Sequence, residues 1–214
     1  MVTLQLQQLN IPTGQRLQIC NLNWSEFEAI LNELGDRRKT RIAYSNKTLE
    51  IRMPSPEHEV NKEIIGDIIK ILLDELEIDC ECFGSTTFKE QSMASGVEPD
   101  QCFYIENHAR VRGKRRIDLA IDPPPDLAIE VDVTSRTQMS AYISLGVREL
   151  WIYEGEQLNI YILQLEQYQQ VLTSSIFPNL PILDIVTETL EESMAIGRSP
   201  ALRALRRRIQ QQQR

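Results

Sequence analysis

Metal-binding cysteine pairs, long apolar runs and a secretory signal are all missing from this sequence, and aromatic residues make up only 6% of it. The cysteines form no CxxC pair, which argues against structural zinc and a disulfide framework and favours a reducing compartment; they are Cys20, Cys80, Cys82 and Cys102. No apolar run reaches the length of a membrane helix. The N-terminus lacks the basic start and apolar core of an export signal. We therefore expect a cytoplasmic protein with no membrane partner.

Positive charge is also scarce, because the formal net charge is −8 at pH 7. The chain as a whole therefore does not attract nucleic acid, and such a partner would need local basic patches. Basic patches bind phosphate without sequence preference, although a charge run is more often a solvated face. Three basic segments are present: Arg37 to Arg41, Arg110 to Arg116, and Arg203 to Arg208.

The length of 214 residues suits one well-buried α/β domain, and no Gly/Ser-rich or Pro-rich linker divides the chain. We expect a domain over residues 1–197, followed by a basic helix or tail over residues 198–214. The run of glutamines at the end of this segment is most simply interpreted as a frayed or disordered end.

Capping and turn signals define the first half of the chain. Asn23 can cap a short helix that stops at Gly35. The strand-like runs RIAY and TLEIRM, joined by Ser45 to Lys47, predict a β-hairpin. Ser55 as N-cap and Pro56 as first helical residue open the longest helix that we predict.

Strand signals dominate the second half, in the runs CECFGSTTFKE, DQCFYIE, DLAIEVDV and ELWIYE. Thr134 or Ser135 can cap a helix that stops at Gly146, and a helix between two strands predicts a parallel strand pair. LNIYILQ and YQQVLT predict an antiparallel pair at one edge of the sheet. We take LNIYILQ to be an exposed edge strand and a candidate dimer interface.

Two strand signals about thirty residues apart, EPDQCFYI and PPDLAIEVDVTS, carry carboxylates beside apolar runs. Asp100 precedes the first run, and Glu130 and Asp132 interrupt the second. A charge taken out of water is costly unless it is paired or binds a metal. We therefore expect Asp100 and Glu130 to converge on a divalent cation. An isolated PD pair is far more often turn chemistry than a metal site.

Four blocks of the sequence resemble the Uma-two family of restriction endonuclease-like proteins, within the PD-(D/E)xK nuclease superfamily. The blocks are PSPEHEV at residues 54–60, EPD at 98–100, PPDLAIEVDVTSRT at 124–137 and LGVRELWIY at 145–153. The resemblance implies an α/β fold of the restriction-endonuclease type, in which helices flank a mixed sheet, with an N-terminal helix and a β-hairpin.

The resemblance also implies chemistry. Asp100 and Glu130 stand where the superfamily has its acidic metal ligands, for Mg²⁺ or Mn²⁺, and the carbonyl of Val131 could complete the set because magnesium takes oxygen ligands. The implied activity is metal-dependent hydrolysis of phosphodiester bonds in DNA. Similar nucleases often place a third acid on the long helix, where we prefer Glu63, although a solvated helix face is at least as good a reading.

The sequence departs from the superfamily pattern at its lysine. Asp132 stands two residues after the second acid, where lysine is expected, and Gln138 stands at the alternative lysine position of the resembling family. Lys89 and Arg136 are candidates to supply the missing charge, although arginine cannot act as a base. Asp132 could also be a third ligand or pair with Arg136, and His58 matches a family histidine.

Two interpretations therefore stay open. The first is a magnesium-dependent DNA endonuclease, which would cut both strands more easily as a homodimer. The second is a nuclease-derived DNA-binding or structural module that has lost catalysis together with the lysine.

Overall fold

The structure, a computed structural model, describes residues 8–35, 38–131 and 136–212, with the side chains of residues 136 and 137 left out. Its helices and strands follow in the order β1 (Arg16–Cys20), α1 (Trp24–Leu34), β2 (Arg41–Ser45), β3 (Thr48–Arg52), α2 (Pro56–Glu75), β4 (Glu81–Cys82), β5 (Phe88–Glu90), β6 (Ser95–Val97), β7 (Gln101–Tyr104), α3 (His108–Val111), β8 (Leu127–Val131), α4 (Arg136–Leu145), β9 (Glu149–Glu154), β10 (Gln157–Gln164), β11 (Gln167–Val171), α5 (Ile182–Ile196) and α6 (Arg198–Gln212).

The described strands form two sheets. A five-stranded antiparallel sheet has the order β1-β3-β2-β6-β5, and a six-stranded mixed sheet has the order β11-β10-β9-β8-β7-β4. In the second sheet β8 and β9 are parallel and are joined through α4, whereas the other neighbours are antiparallel. The predicted mixed sheet and its parallel pair are therefore confirmed.

Helices cover both faces of the six-stranded sheet because its central strands are apolar on both sides. On one face α2, α5 and α6 pack over alternate residues such as Leu127 and Ile129. On the other face α4 packs over Ala128 and Ile152, next to the five-stranded sheet. Among the described helices, none combines the length and apolar character needed to cross a membrane.

Local signals in the first half act as predicted. The Asn23 side chain accepts a hydrogen bond from the main-chain N–H of Glu26, and α1 ends at Gly35, whose φ is 68°. Asn46 and Lys47 both have positive φ, as the tight turn of the β2–β3 hairpin requires. Ser55 caps α2 by accepting from the N–H of His58 at 3.1 Å.

The structure corrects several expectations. CECFGSTTFKE is not one strand: β4 and β5 belong to different sheets, and the chain between them passes through Gly84 at a φ of 56°. LNIYILQ is not an edge strand, because β10 pairs with β9 on one side and with β11 on the other, so the edge is β11. The predicted caps Thr134 and Ser135 lie outside the described residues.

The basic C-terminal segment forms α6 instead of a frayed end over its described length. Ala201, Leu205 and Ile209 recur at a spacing of four residues and are buried, and Leu205 and Ile209 join the core that α2 and α5 form. The apolar stripe anchors α6 to the core, and a prediction made only from the charge and glutamine content of this segment misses the stripe.

Candidate active site

Asp100 and Glu130 lie side by side at the ends of neighbouring strands. The N–H of Asp100 donates to the carbonyl of Ile129 at 3.1 Å, which places Asp100 beside the residue that precedes Glu130 on β8. Both side chains are almost completely buried, at 1% and 0% exposure. The two carboxylates reach the same atom, Nη2 of Arg52, at 3.1 Å and 3.2 Å.

Arg52 is the cation between these acids. Its Nη2 donates to both carboxylates, and its Nη1 donates to the carbonyl oxygen of Val131 at 2.7 Å. One guanidinium therefore contacts all three groups that the sequence suggested as metal ligands. Arg52 ends β3, and its side chain is 10% exposed. Arginine fits this position because its planar fork presents several donors at once.

Asp100 is held in its ionised form. Its Oδ2 lies 2.8 Å from Nε2 of His58 and accepts from the N–H of Val131 at 2.9 Å. Burial alone raises the pKa of a carboxyl group, but the hydrogen bond from His58 and the charge of Arg52 outweigh it and lower the pKa of Asp100 to about 2. His58 reaches this position because it lies in the first turn of α2.

Glu130 has the opposite tendency, because its surroundings favour the protonated form. Burial, followed by the negative charge of Asp100, raises the pKa of Glu130 well above its ordinary value, and the opposing charge of Arg52 does not cancel this. Tyr142 of α4 donates its hydroxyl to Oε1, and the side chain of Gln138 makes a further hydrogen bond.

Other sequence candidates make different contacts. The Glu63 side chain is 55% exposed and lies 3.6 Å from Nζ of Lys62. Five residues after His58, it points about 140° further round α2, so it does not share the direction that reaches Asp100. Lys89 pairs with Glu28 at 2.7 Å. Neither residue contacts Asp100 or Glu130, and the expected proximity of Glu63 to the pair is therefore wrong.

The positive charge at the site comes from an arginine of β3. No lysine of the described ranges contacts either carboxylate, and Gln138 at the alternative lysine position is a neutral hydrogen-bond partner of Glu130. Asp132 lies outside the described residues, as does the side chain of Arg136.

The site offers a metal ion only a small set of donor atoms. Among the residues that the structure describes, no three His, Cys, Asp or Glu side chains are grouped to hold an ion. The oxygen donors that converge are two carboxylates and the Val131 carbonyl, which are the donors that Mg²⁺ prefers. The set fits a hard cation on the condition that Arg52 withdraws from the position its guanidinium holds.

Comparisons with known proteins point the same way as the motifs. The family model described as "Uma2: Putative restriction endonuclease" matches residues 24–195. A crystal structure from Anabaena variabilis ATCC 29413, described as "a putative nuclease belonging to DUF820", is similar with a TM-score of 0.53 at 17% sequence identity. The similarity covers 78% of this chain and 98% of the other and concerns the fold. No curated protein matches.

Proposed function

The chain belongs to the Uma2 family, and on that premise we propose that it is a DNA endonuclease that hydrolyses phosphodiester bonds with Mg²⁺ or Mn²⁺. The family description supports a nuclease; the DNA substrate, the metal and the catalytic activity are the further proposal. The observation that carries it is the convergence of Asp100, Glu130 and the Val131 carbonyl on one position. Arg52 supplies the cation that these buried carboxylates need in the structure, and the proposed metal ion would take its place.

Asp100, Glu130 and the Val131 carbonyl would hold the ion. When bound, the metal would polarise the scissile phosphate and lower the pKa of a coordinated water. His58 and the Val131 N–H fix the Asp100 carboxylate, while Tyr142 and Gln138 fix Glu130. These partners hold the two acids in one geometry before any ligand arrives, which reduces the cost of ordering them.

Arg52 would then act as the cation of the metal-free site. Loading a divalent ion requires the guanidinium to leave three acceptors, and the raised pKa of Glu130 opposes the ionisation that a metal ligand needs. Arg52 itself stays protonated: burial lowers its pKa, but the neighbouring Asp100 and Glu130 side chains outweigh burial and raise the pKa above its ordinary value. A displaced Arg52 would keep its charge and could stabilise an anionic phosphate nearby.

The same contacts favour a second candidate, a nuclease-derived module that binds DNA without cutting it. In that case Arg52 neutralises the acids permanently, and Gln138 reflects a catalytic lysine that this chain has lost. The module predicts DNA binding without metal-dependent cleavage.

Titration calorimetry with Mn²⁺ separates the two candidates. The endonuclease predicts a saturable site that Glu130→Ala abolishes, whereas the module predicts no heat from the wild type. Incubation of plasmid and single-stranded DNA with Mg²⁺ or Mn²⁺ tests activity directly, with Asp100→Ala as the control. Cleavage that survives Asp100→Ala would refute the assignment of the site.

We also propose a homodimer, because cutting both strands of a duplex needs two sites or two successive events. Sedimentation with and without duplex DNA measures the assembly state. A protein that cuts duplex DNA while monomeric in both conditions contradicts this part of the proposal.

A further inference from the structure

Two clefts open on the surface formed by α1, the start of β2 and the first turn of α2. The large cleft, of about 920 Å³, is enclosed by the end of α1, the segment leading into β5 and the loop after α3. The small cleft, of about 490 Å³, lies between the start of β2 and the first turn of α2. Arg38 lines both clefts, so the two clefts adjoin at this residue.

The two clefts are basic although the chain is acidic. Three carboxylates line them, Glu59, Glu98 and Asp118. Twice as many cations line the same surface: Arg38, Lys39, Arg41, Lys89, Arg115 and Arg116. The net charge of the whole chain is −8, so this excess of positive charge is local to the clefts.

Several of these cations lack an acidic partner. Arg38 donates to Glu98, and Lys89 to Glu28. In contrast, within residues 38–131, Lys39, Arg115 and Arg116 are exposed and form no ion pair.

Arg41 in the small cleft adds a buried donor. Its Nε is buried, and no described residue accepts a hydrogen bond from it. An unsatisfied buried donor is costly, and an anionic oxygen would remove that cost.

Two residues that line the small cleft are neighbours of residues that contact the acid pair. Arg41 on β2 is the cross-strand partner of Arg52, the residue that contacts both carboxylates. Glu59 lines the same cleft and follows His58, which contacts Asp100. The small cleft is thus lined by the cross-strand neighbour of one residue that contacts the acid pair and by the chain neighbour of another.

Other basic segments are largely neutralised within the molecule. On α6, Arg198, Arg206 and Arg208 pair with Asp67, Glu75 and Glu192. Near α3, Arg112 lies 3.7 Å from Glu81, and Lys114 pairs with Asp122. The exposed Arg203 and Arg207 on α6 form no ion pair with any residue that the structure describes and lie outside the clefts, which makes them a matched control.

We propose that the phosphate backbone of a nucleic acid lies along the two clefts, from Arg115 and Arg116, past Arg38, to Arg41 at the acid pair. This assignment rests on the proposed function and adds the surface that holds the substrate. A row of cations tracks a phosphate backbone through charge, so binding is independent of sequence and falls steeply with salt.

Fluorescence anisotropy of labelled duplex and single-stranded DNA in EDTA tests the assignment without any cleavage. Two double variants remove charge from the clefts, Arg115→Ala with Arg116→Ala and Lys39→Ala with Arg41→Ala. The control is Arg203→Ala with Arg207→Ala. Each cleft variant should weaken binding at least about tenfold at 0.1 M salt and reduce the slope of log K against log salt by about 2, whereas the control should stay within about twofold.

Thermal unfolding of each variant confirms that it is folded. Wild-type binding by a folded cleft variant overturns the inference, as does an equal loss in the control. A wild type that shows no salt-sensitive binding in EDTA overturns it as well. Cleavage assays test the proposed function separately. If the wild type cuts DNA and the cleft variants bind it normally, the proposed function stands and the assignment of this surface is wrong. If the cleft variants weaken binding but the wild type does not cut DNA, the surface stands and the module is favoured.

Discussion

Nη2 of Arg52 lies 3.1 Å from Oδ2 of Asp100, and both side chains are buried at the centre of the candidate site. The same nitrogen lies 3.2 Å from Glu130, so one cation serves two acids. Removing one member of such a group leaves an uncompensated buried charge. The resulting loss in free energy of unfolding is larger than the net contribution of the intact pair. The first prediction tests this dependence.

Arg52→Met should lower the free energy of unfolding by about 3 to 5 kcal/mol in EDTA, measured by urea denaturation, because Asp100 keeps its charge and loses its counter-ion. Arg16→Met is the control. Arg16 on β1 is the cross-strand neighbour of Arg52 on β3, its Nη1 lies 3.7 Å from Glu50, and its side chain is 37% exposed. Its loss should cost less than about 1 kcal/mol.

Manganese provides a second measurement on the same variant. If the emptied position accepts a divalent ion, Mn²⁺ at 100 times its dissociation constant should restore about 2.7 kcal/mol to Arg52→Met. Equal stability of Arg52→Met with Mn²⁺ and with EDTA would count against a metal site between the carboxylates.

Tyr142→Phe removes the hydroxyl that donates to Glu130 and leaves a buried acceptor without this partner. We expect a loss of about 1 to 3 kcal/mol in unfolding free energy. Tyr161→Phe is the control, since Tyr161 stacks edge-on against Tyr168 and its hydroxyl makes no hydrogen bond within the described ranges. Equal effects of the two variants would show that the Tyr142 hydroxyl contributes nothing specific.

The sequence was sufficient to predict the family, the fold class and the convergence of the two acids. EPD and IEV sit at the ends of strands that pair, so local strand signals brought Asp100 and Glu130 together. The helix caps at Asn23 and Ser55 are equally local and are confirmed. The family match over residues 24–195 confirms the resemblance drawn from the motifs.

Arg52 could not be found in this way. Its acidic partners are 48 and 78 residues away, so no local pattern links them. The sequence signal that pointed to Arg52 was the presence of two charged residues, Glu50 and Arg52, on the same face of β3. Both residues are buried. The superfamily pattern indicates a lysine, and the lysine that it suggested, Lys89, pairs with Glu28 instead.

Two elements differ from the sequence expectations, one in spite of a local signal and one for a tertiary reason. α5 was not predicted, although it buries Ile182, Val186 and Leu190 at helical spacing. LNIYILQ looks like an edge strand by its composition, but the short strand β11 covers it. Which strand ends at the edge depends on pairing between segments, which sequence patterns do not record.

The pH dependence of stability should reflect the opposite shifts of the two acids. Asp100 has a lowered pKa, so its contribution is present above its ordinary value of 3.8 and is lost as the pH falls towards 2. Glu130 has a raised pKa, so its contribution is present below its ordinary value of 4.5 and is lost as the pH rises through the folded-state value.

Glu130→Gln should therefore gain stability relative to the wild type as the pH rises above 4.5. The difference should grow by about 1.4 kcal/mol per pH unit until the folded-state pKa is reached. Urea denaturation in EDTA from pH 4 to pH 9 measures it. A difference that is constant over this range would contradict a raised pKa at Glu130.

Leu205→Ala should show that α6 is part of the core. Leu205 is fully buried against α2 and α5, so its truncation leaves a cavity and should cost about 2 to 5 kcal/mol of unfolding free energy. Leu172→Ala is the control, because Leu172 is 81% exposed and should change stability by less than about 0.5 kcal/mol. Urea denaturation measures both, and its transitions also test cooperativity. If Leu205→Ala unfolds like the wild type, or if α6 melts in a separate transition, the basic helix is an appendage and its arginines are free to bind phosphate.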